Sequence, residues 1–396
     1  MRRNEFDPRF GERMRALLDA RGLSYRALAA RVYQSKSHLN DIANGRKAPT
    51  PEVAQRLDEA LGAGGELLAL ARVDPPAEPD LDAELEAIEL ARRVEASDVS
   101  DGTLTRLERV TDRLAMAYAA TPPHDLLPRV RRHLGYVTGL TESRMTLVQR
   151  RRLMVTGGWL SLLAATLHID LRQRAAAKTW LTTAEQMAGQ AGQDEIAAWC
   201  HETRAWDVLT DGRYREALDL ALTAQALAPA GSSALIQATA QEGRAWARMH
   251  RSVETRDALE RVAGLVSNLP TPEQPEHHYR YDPAKAISYT ATTLSWAGDP
   301  AAEDFARAAV GELSADPVPR PRRVASAQLD LGLALLAAGK PDEASAEALS
   351  AVTSGRIVPS NWWRATEVLR GIESAGVPEA TDLREAYRTY RPTIST

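Results

Sequence analysis

Residues 23–47 read LSYRALAARVYQSKSHLNDIANGRK. Ser24 and Ser35 each stand just ahead of a short run, where a hydroxyl accepts a hydrogen bond from an otherwise unpaired amide of an opening helical turn. Behind Ser24, Tyr25 to Val32 puts Leu28 and Val32 four apart on one face, and Ala29 is small enough beside them for another helix to cross closely. Behind Ser35, Leu39 and Ile42 fall three apart on one side, while Lys36, Ser37, Asn40, Asp41 and Asn44 fall on the other. Gly45 closes this second helix, and Arg46 and Lys47 follow it. The pattern predicts two short helices and a turn, with Ser35 to Asn44 exposing short polar side chains. Such a face suits the major groove of DNA, where Asn pairs bidentately with adenine and Lys reaches guanine acceptors. Arg46 and Lys47 would then sit at phosphate height. A plain hairpin with a solvated face satisfies the same spacing.

Outward from this pair, Asp7 to Ala20 predicts a helix laying Phe10, Met14 and Leu17 on the hairpin and stopping at Arg21-Gly22. Pro51 to Leu61 and Glu66 to Ala71 add two more, which makes about five helices in residues 1–72. The segment LAARVYQSKSHLNDIANGRKAPTPEVAQRL resembles the Cro/repressor-type (XRE) helix-turn-helix in the order and spacing of its Leu-Ala, turn, Ser-x-Ser, paired apolar and Asn-Gly-Arg/Lys positions. The resemblance runs from Phe10 to about Leu70 and implies DNA binding. The expected contact set is Ser24, Tyr25, Ser35, Lys36, Ser37, Asn40, Asp41, Asn44, Arg46 and Lys47. Within it Lys36, Ser37 and Asn40 read bases, and Arg46 and Lys47 anchor phosphates. Two positions depart from the family pattern: Tyr33 stands at the turn where Gly is usual, and Asp41 where a basic residue is frequent.

Charge is distributed in keeping with this. The chain of 396 residues has a net charge of −4, yet residues 1–72 hold 13 Lys and Arg against 9 Asp and Glu, so the remainder is near −8. A basic head on an acidic body binds a polyanion at one end only. Cys200 is the single cysteine, which excludes an intramolecular disulfide and argues against a cysteine-based zinc site. No apolar run approaches the roughly twenty residues that span a bilayer, and MRRNEFDPRF lacks the apolar centre of a secretion signal. A cytoplasmic protein with no membrane partner is expected.

After the head, RVDPPAEPDLD places three prolines among acids, which reads as a stiff linker over residues 73–82. Residues 83–150 read as a helical connector, with Thr103 to Tyr118 and Leu126 to Thr138 paired across the break at Pro122 and Pro123. Over residues 151–396 a repeat emerges. Gly212, Tyr214, Ala217, Ala224 and Pro229 keep the offsets of a tetratricopeptide repeat, and Gly332, Gly339, Ala344 and Ala351 repeat them. About six helix pairs follow, each with an apolar face too large to cover alone, so that neighbours stack into a superhelix. The fold class is therefore all-α: a helix-turn-helix domain followed by a tetratricopeptide-like superhelix that senses and dimerises. The loop Leu269 to Pro283, LPTPEQPEHHYRYDP, separates the third and fourth pairs and is expected to fold back over the superhelix.

Alignment with that repeat aims Trp159, Trp199, Glu202, Trp206, Arg244, Arg248, Ser288, Trp296, Trp363 and Arg370 at the concave groove. Tryptophans supply area and the charges supply orientation, so a ligand site is expected there. The whole chain resembles bacterial XRE regulators with a C-terminal tetratricopeptide domain, a type common in actinobacteria, and more distantly the peptide-sensing RRNPP group. In that group groove asparagines clamp a peptide backbone. Here the only asparagines after Asn44 are Asn268 and Asn361, neither at an expected groove position, so a small aromatic or anionic metabolite fits at least as well as a peptide.

Catalysis is not expected. Gly339-Lys340 is followed by proline and belongs to a repeat turn rather than a phosphate loop, and Gly62, Gly64 and Gly65 end a helix of the head. His277 and His278 are adjacent, unlike a helical i, i+4 zinc pair, and Cys200 and His201 point about 100° apart on a helix. No cofactor or metal is implied. The expectation is a sequence-specific transcriptional regulator, a homodimer on double-stranded, pseudo-palindromic operator DNA, modulated by a small-molecule or peptide effector. The alternative is a tetratricopeptide adaptor that recruits a protein and touches DNA only non-specifically.

Overall fold

The structure is a computed structural model that describes residues 9–71, 81–94, 98–267, 269–270, 272–315, 320–378 and 380–391. All regular elements among them are helical, and the chain divides into two compact units between Asp80 and Leu81.

The first unit has five helices: α1 (Arg9–Ala20), α2 (Tyr25–Val32), α3 (Lys36–Ala43), α4 (Pro51–Leu61) and α5 (Glu66–Ala71). Both serine caps form. Ser24 Oγ accepts from the Ala27 amide at 3.2 Å and Ser35 Oγ from the His38 amide at 3.1 Å. Tyr33 ends α2 in the left-handed region at φ 55°, donating its amide to the Ala29 carbonyl. Thr50 caps α4 behind Pro51. The Asp58 carboxylate caps α5, accepting from the amides of Gly65 at 2.6 Å and Leu67 at 2.8 Å. Leu28, Val32, Leu39 and Ile42 meet Phe10 and Met14 in one core. α1 fills that core with Leu18 rather than the expected Leu17, which is only half-buried, because Met14 and Leu18 stand four apart on one face.

α1 and α3 cross without room to spare. A Cβ on Gly11 would lie 2.3 Å from the Ala43 carbonyl oxygen, and the Arg15 guanidinium donates to the same oxygen.

The second unit begins with α6 (Leu81–Val94), α7 (Asp101–Ala117) and α8 (Pro123–Thr141). Of the expected linker, residues 73–80 lie outside the described residues. Six pairs follow: α9 (Leu147–Asp170) with α10 (Arg174–Ala191), α11 (Asp194–Thr210) with α12 (Tyr214–Leu227), and α13 (Ser233–Arg248) with α14 (Ser252–Val266). Then come α15 (Pro283–Ala297) with α16 (Ala302–Ala315), α17 (Pro321–Ala337) with α18 (Pro341–Thr353), and α19 (Trp362–Ala375) with α20 (Ala380–Tyr390). Alanines let the partners approach: Ala177 and Ala184 on α10, Ala217 and Ala224 on α12, Ala344 and Ala351 on α18 are all buried.

α9 corrects one expectation. It is long and apolar enough by composition to cross a bilayer, whereas no such run was expected. Its most apolar window is 89% buried against α7, α8, α10 and α11, so it is a core helix that is apolar all round because it is covered all round. α9 also runs through residue 150, and Leu104, Leu126 and Leu134 before it share a core with Leu160, Leu163 and Trp199.

Residues 272–282 fold back as a strap across the inner face. The His278 amide donates to the Ala115 carbonyl of α7 at 3.2 Å, and the Tyr281 amide donates to Ser233 Oγ of α13 at 2.9 Å. Glu276 and Asp282 pair with Arg323 of α17, each at 2.9 Å. Tyr279 enters the core, its ring 5.0 Å from that of Trp159 and 5.4 Å from that of Trp199.

Gly11→Ala is expected to destabilise the first unit by about 1–3 kcal/mol, since overpacking at the Ala43 carbonyl exceeds the helix-propensity gain of about 1 kcal/mol. Thermal melts of the full chain check this, and an unchanged or raised melting temperature for that unit would refute the close crossing.

Candidate nucleic-acid interface and inner cavity

On α3 the side chains of Lys36, Ser37 and Asn40 are exposed, as are Asn44, Arg46 and Lys47 beyond it. Ser24 and Ser35 are exposed at their caps, and Tyr25 is half-buried. Asn44 Nδ2 donates to the Asn40 carbonyl at 2.7 Å and to Asn40 Oδ1 at 3.1 Å. The Asn40 amide is thereby oriented, with its own N–H groups and a second lone pair still available to a base edge. Asp41 behaves differently from its neighbours. Its carboxylate is half-buried and lies 3.3 Å from Arg46 Nε, and its carbonyl accepts from the amides of Arg46 at 2.8 Å and Lys47 at 3.3 Å. Asp41 therefore organises the two cations expected at phosphate height. Tyr33, held at positive φ, is 85% exposed and adds nothing to the core.

In the second unit, the ten residues aimed at the groove by repeat offset separate into three places. Trp199, Glu202, Trp206 and Arg244, with Ser288, line one cavity of about 240 Å³. Trp159 lies under Tyr279 instead, because the strap covers that part of the groove. Trp296 and Trp363 stack at 5.7 Å with Arg248 over Trp296 at 4.1 Å, and Arg248 is paired with Glu367 at 2.6 Å. Arg370 is exposed on the surface groove that Arg248 and Trp363 also line. Repeat offsets assign a face, whereas the strap and the aromatic stack decide which part of that face stays open.

Every helical residue that lines the cavity from α9 onward sits on the first helix of a pair. Several were missed: Gln237, Lys285, Tyr289, Arg322, Asp330 and Arg364 line it too. Asn361, set aside as off the groove, is a further correction. The 3₁₀ turn Pro359–Asn361 brings it to the cavity, where its Oδ1 is buried without a partner among the described residues. Asn268 lies outside the described residues.

The charges of this lining are mostly matched. Arg322 pairs with Asp170 at 2.7 Å, Arg323 with Glu276 at 2.9 Å and Arg364 with Asp330 at 2.9 Å. Glu202 Oε1 accepts from Gln237 Nε2 at 3.1 Å, which also donates to the Tyr289 hydroxyl at 2.9 Å. Lys285 Nζ donates to the Arg280 carbonyl at 3.1 Å. Arg244, 3% exposed, stacks on Tyr289 at 3.9 Å and on Trp206 at 5.6 Å but has no carboxylate partner among the described residues. Burial pushes the Glu202 carboxyl up to about 7, the Arg244 guanidinium down to about 10 and, with Arg323 nearby, the Lys285 amine down to about 8. The lining is a binding surface of aromatic walls and fixed charges. Burial pushes the Cys200 thiol up to about 12, and among the described residues no group of three His, Cys, Asp or Glu is placed to hold a metal.

Residues 9–71 match the family of the helix-turn-helix domain, so the first unit is a helix-turn-helix DNA-binding domain. Two solved structures align with the chain. PlcR of Bacillus thuringiensis, in complex with the peptide PapR7 and DNA, is 13% identical over 66% of this chain and 95% of its own, with a TM-score of 0.27. The competence regulator ComR of Streptococcus vestibularis, in its apo form, is 11% identical over 94% of this chain and 99% of its own, with a TM-score of 0.29. No curated protein matches the chain.

Glu202→Gln tests the buried charge. A carboxyl raised from 4.5 to about 7 on folding contributes stability that is complete below pH 4.5 and is lost as pH rises toward 7. The variant, neutral throughout, should match the parent near pH 4.5 and exceed it above pH 7 by about 2–3 kcal/mol. Chemical denaturation across that range measures the difference, and a constant offset would refute a charged, buried Glu202.

Proposed function

We propose that the protein is a sequence-specific transcriptional regulator of the cytoplasm, in which two heads read a pseudo-palindromic operator and the helical body senses an effector. The observation that carries this reading is α3: a capped helix whose exposed Lys36, Ser37 and Asn40 offer base-reading chemistry, flanked by Arg46 and Lys47 at phosphate height. One head spans a half-site, and two heads about 34 Å apart reach successive major-groove faces, which favours a homodimer. The tetratricopeptide-like body supplies the cavity that an effector would occupy, whether small molecule or peptide.

A second reading, a protein-recruiting adaptor with non-specific DNA contact, is favoured by one observation. Asp41 engages Arg46, one of the two phosphate anchors, and sets a negative charge beside the DNA-facing surface. Selection of bound fragments from random DNA discriminates the two, since recovery of no motif favours the adaptor.

On a selected operator, Lys36→Ala and Asn40→Ala should each cost about 1–3 kcal/mol at one base pair and relax preference there, whereas Arg46→Ala should weaken all sequences about equally. Gel shifts on the operator and its point variants separate these outcomes, and a uniform loss from all three substitutions would refute the assigned roles. Asp41→Asn frees Arg46 for phosphate. It should tighten binding to every sequence about equally, read from titrations at several salt concentrations.

A further inference from the structure

We infer that the inner cavity binds a small aromatic monocarboxylate, its carboxylate on the Arg244 guanidinium and its ring between Trp199, Trp206 and Tyr289. The inference rests on the effector-sensing reading above and names the class of effector.

Charge is the first argument. Of the cations lining the cavity, Arg322, Arg323 and Arg364 each meet a carboxylate at 2.7–2.9 Å. Lys285 donates to the Arg280 carbonyl, and Arg244 meets neither a carboxylate nor a carbonyl among the described residues, its Nε being buried without a partner. Arg244 feels Glu202 and Asp330 only at longer range, and an anion from outside the chain that hydrogen-bonds it directly lowers the cost of burying the charge. The planar fork of Arg matches a carboxylate in two parallel hydrogen bonds. Glu202 and Asp330 face the same space and disfavour a dianion such as a phosphate ester. A monoanion is the charge state that the lining accommodates.

Shape is the second argument. Trp199, Trp206, Tyr289 and Tyr118 wall the space, and a flat ring fills such walls by stacking. The volume of about 240 Å³ lies below the range of roughly 300–1,000 Å³ typical of drug-sized ligands, so the occupant is about one ring with a short acid arm. A peptide of several residues would extend beyond this volume. It would also need backbone partners along the groove, where Asn361 stands without other asparagines. Asn361 Oδ1, buried and unpaired, accepts from a donor group on the ligand.

The test uses full-length protein without DNA. Benzoate, phenylacetate and indole-3-acetate are titrated, each against its neutral amide, following tryptophan fluorescence and melting temperature. At least one acid should bind about ten- to hundredfold tighter than its amide, the value of a charge-assisted pair. Arg244→Met should abolish that preference, its unbranched apolar side chain keeping the packing against Tyr289 and Trp206. Arg244→Lys keeps the charge but loses the fork, and should prefer the acid by a smaller factor. Three results overturn the proposal: equal affinity within every acid–amide pair, no binding of any acid, or a preference that survives in Arg244→Met. None of these bears on operator selection, which reads the head alone.

Discussion

Asp170 closes the helical body on itself. It is 3% exposed and takes three hydrogen bonds from three distant parts of the chain: Tyr118 Oη at 2.8 Å, Arg322 Nη2 at 2.7 Å and Ser360 Oγ at 2.7 Å. Those partners lie at the end of α7, on α17 and in the 3₁₀ turn before α19. A stack of helix pairs in which each contacts only its neighbours has no such long-range tie. Arg322 strengthens it by stacking on the Tyr118 ring at 4.2 Å and donating to the Tyr118 carbonyl at 3.1 Å. Loss of Arg322 would leave the buried Asp170 carboxylate without a compensating charge. The cavity exists because α9, α17 and α19 are held around one space rather than fanned open.

Within that closure the strap determines how much of the groove remains. Two of its acids, Glu276 and Asp282, are bound by Arg320 and Arg323 at the start of α17. At its other side His277 Nε2 reaches Asp112 Oδ1 at 3.3 Å, and that hydrogen bond holds the Asp112 carboxyl below its usual range. Tyr279 then fills the space over Trp159 and the outer face of Trp199. The strap therefore shortens the open part of the groove.

Much of this was legible in the residues, and the part that was not has one physical origin. Serine caps, the i, i+4 pair Leu28 and Val32, and the alanine offsets of the repeats act within one or two turns, so residue spacing alone predicts them. The six helix pairs follow for the same reason. The cavity lining is different. Trp199, Glu202, Trp206 and Arg244 lie in the cavity because a repeat has a defined inner face, yet Trp159, Trp296 and Trp363 share that face and lie outside the cavity. Nothing local to Tyr279 or Asp170 announces partners scores of residues away. Asn361 was misplaced for the same reason, since a 3₁₀ turn breaks the repeat offset that excluded it. α9 was misjudged because its polar residues cluster at its N-terminal end, beyond the apolar stretch that the core covers.

The recognition face of the head shows how far local chemistry alone can prepare a surface. Asn44 fixes the Asn40 amide and Asp41 fixes Arg46, both within a few residues of sequence. An exposed asparagine held in this way loses less rotamer freedom when it meets a base, and so spends less of its hydrogen-bond energy on ordering. Arg46 gains the same pre-ordering but shares its charge with Asp41, which lowers its attraction to phosphate. Tyr33 fits that balance poorly, since a left-handed tyrosine costs about 1–2 kcal/mol and its ring is buried against nothing within the head. The cost is borne at the one turn that sets the angle between α2 and α3, so the head tolerates strain where the recognition helix is aimed.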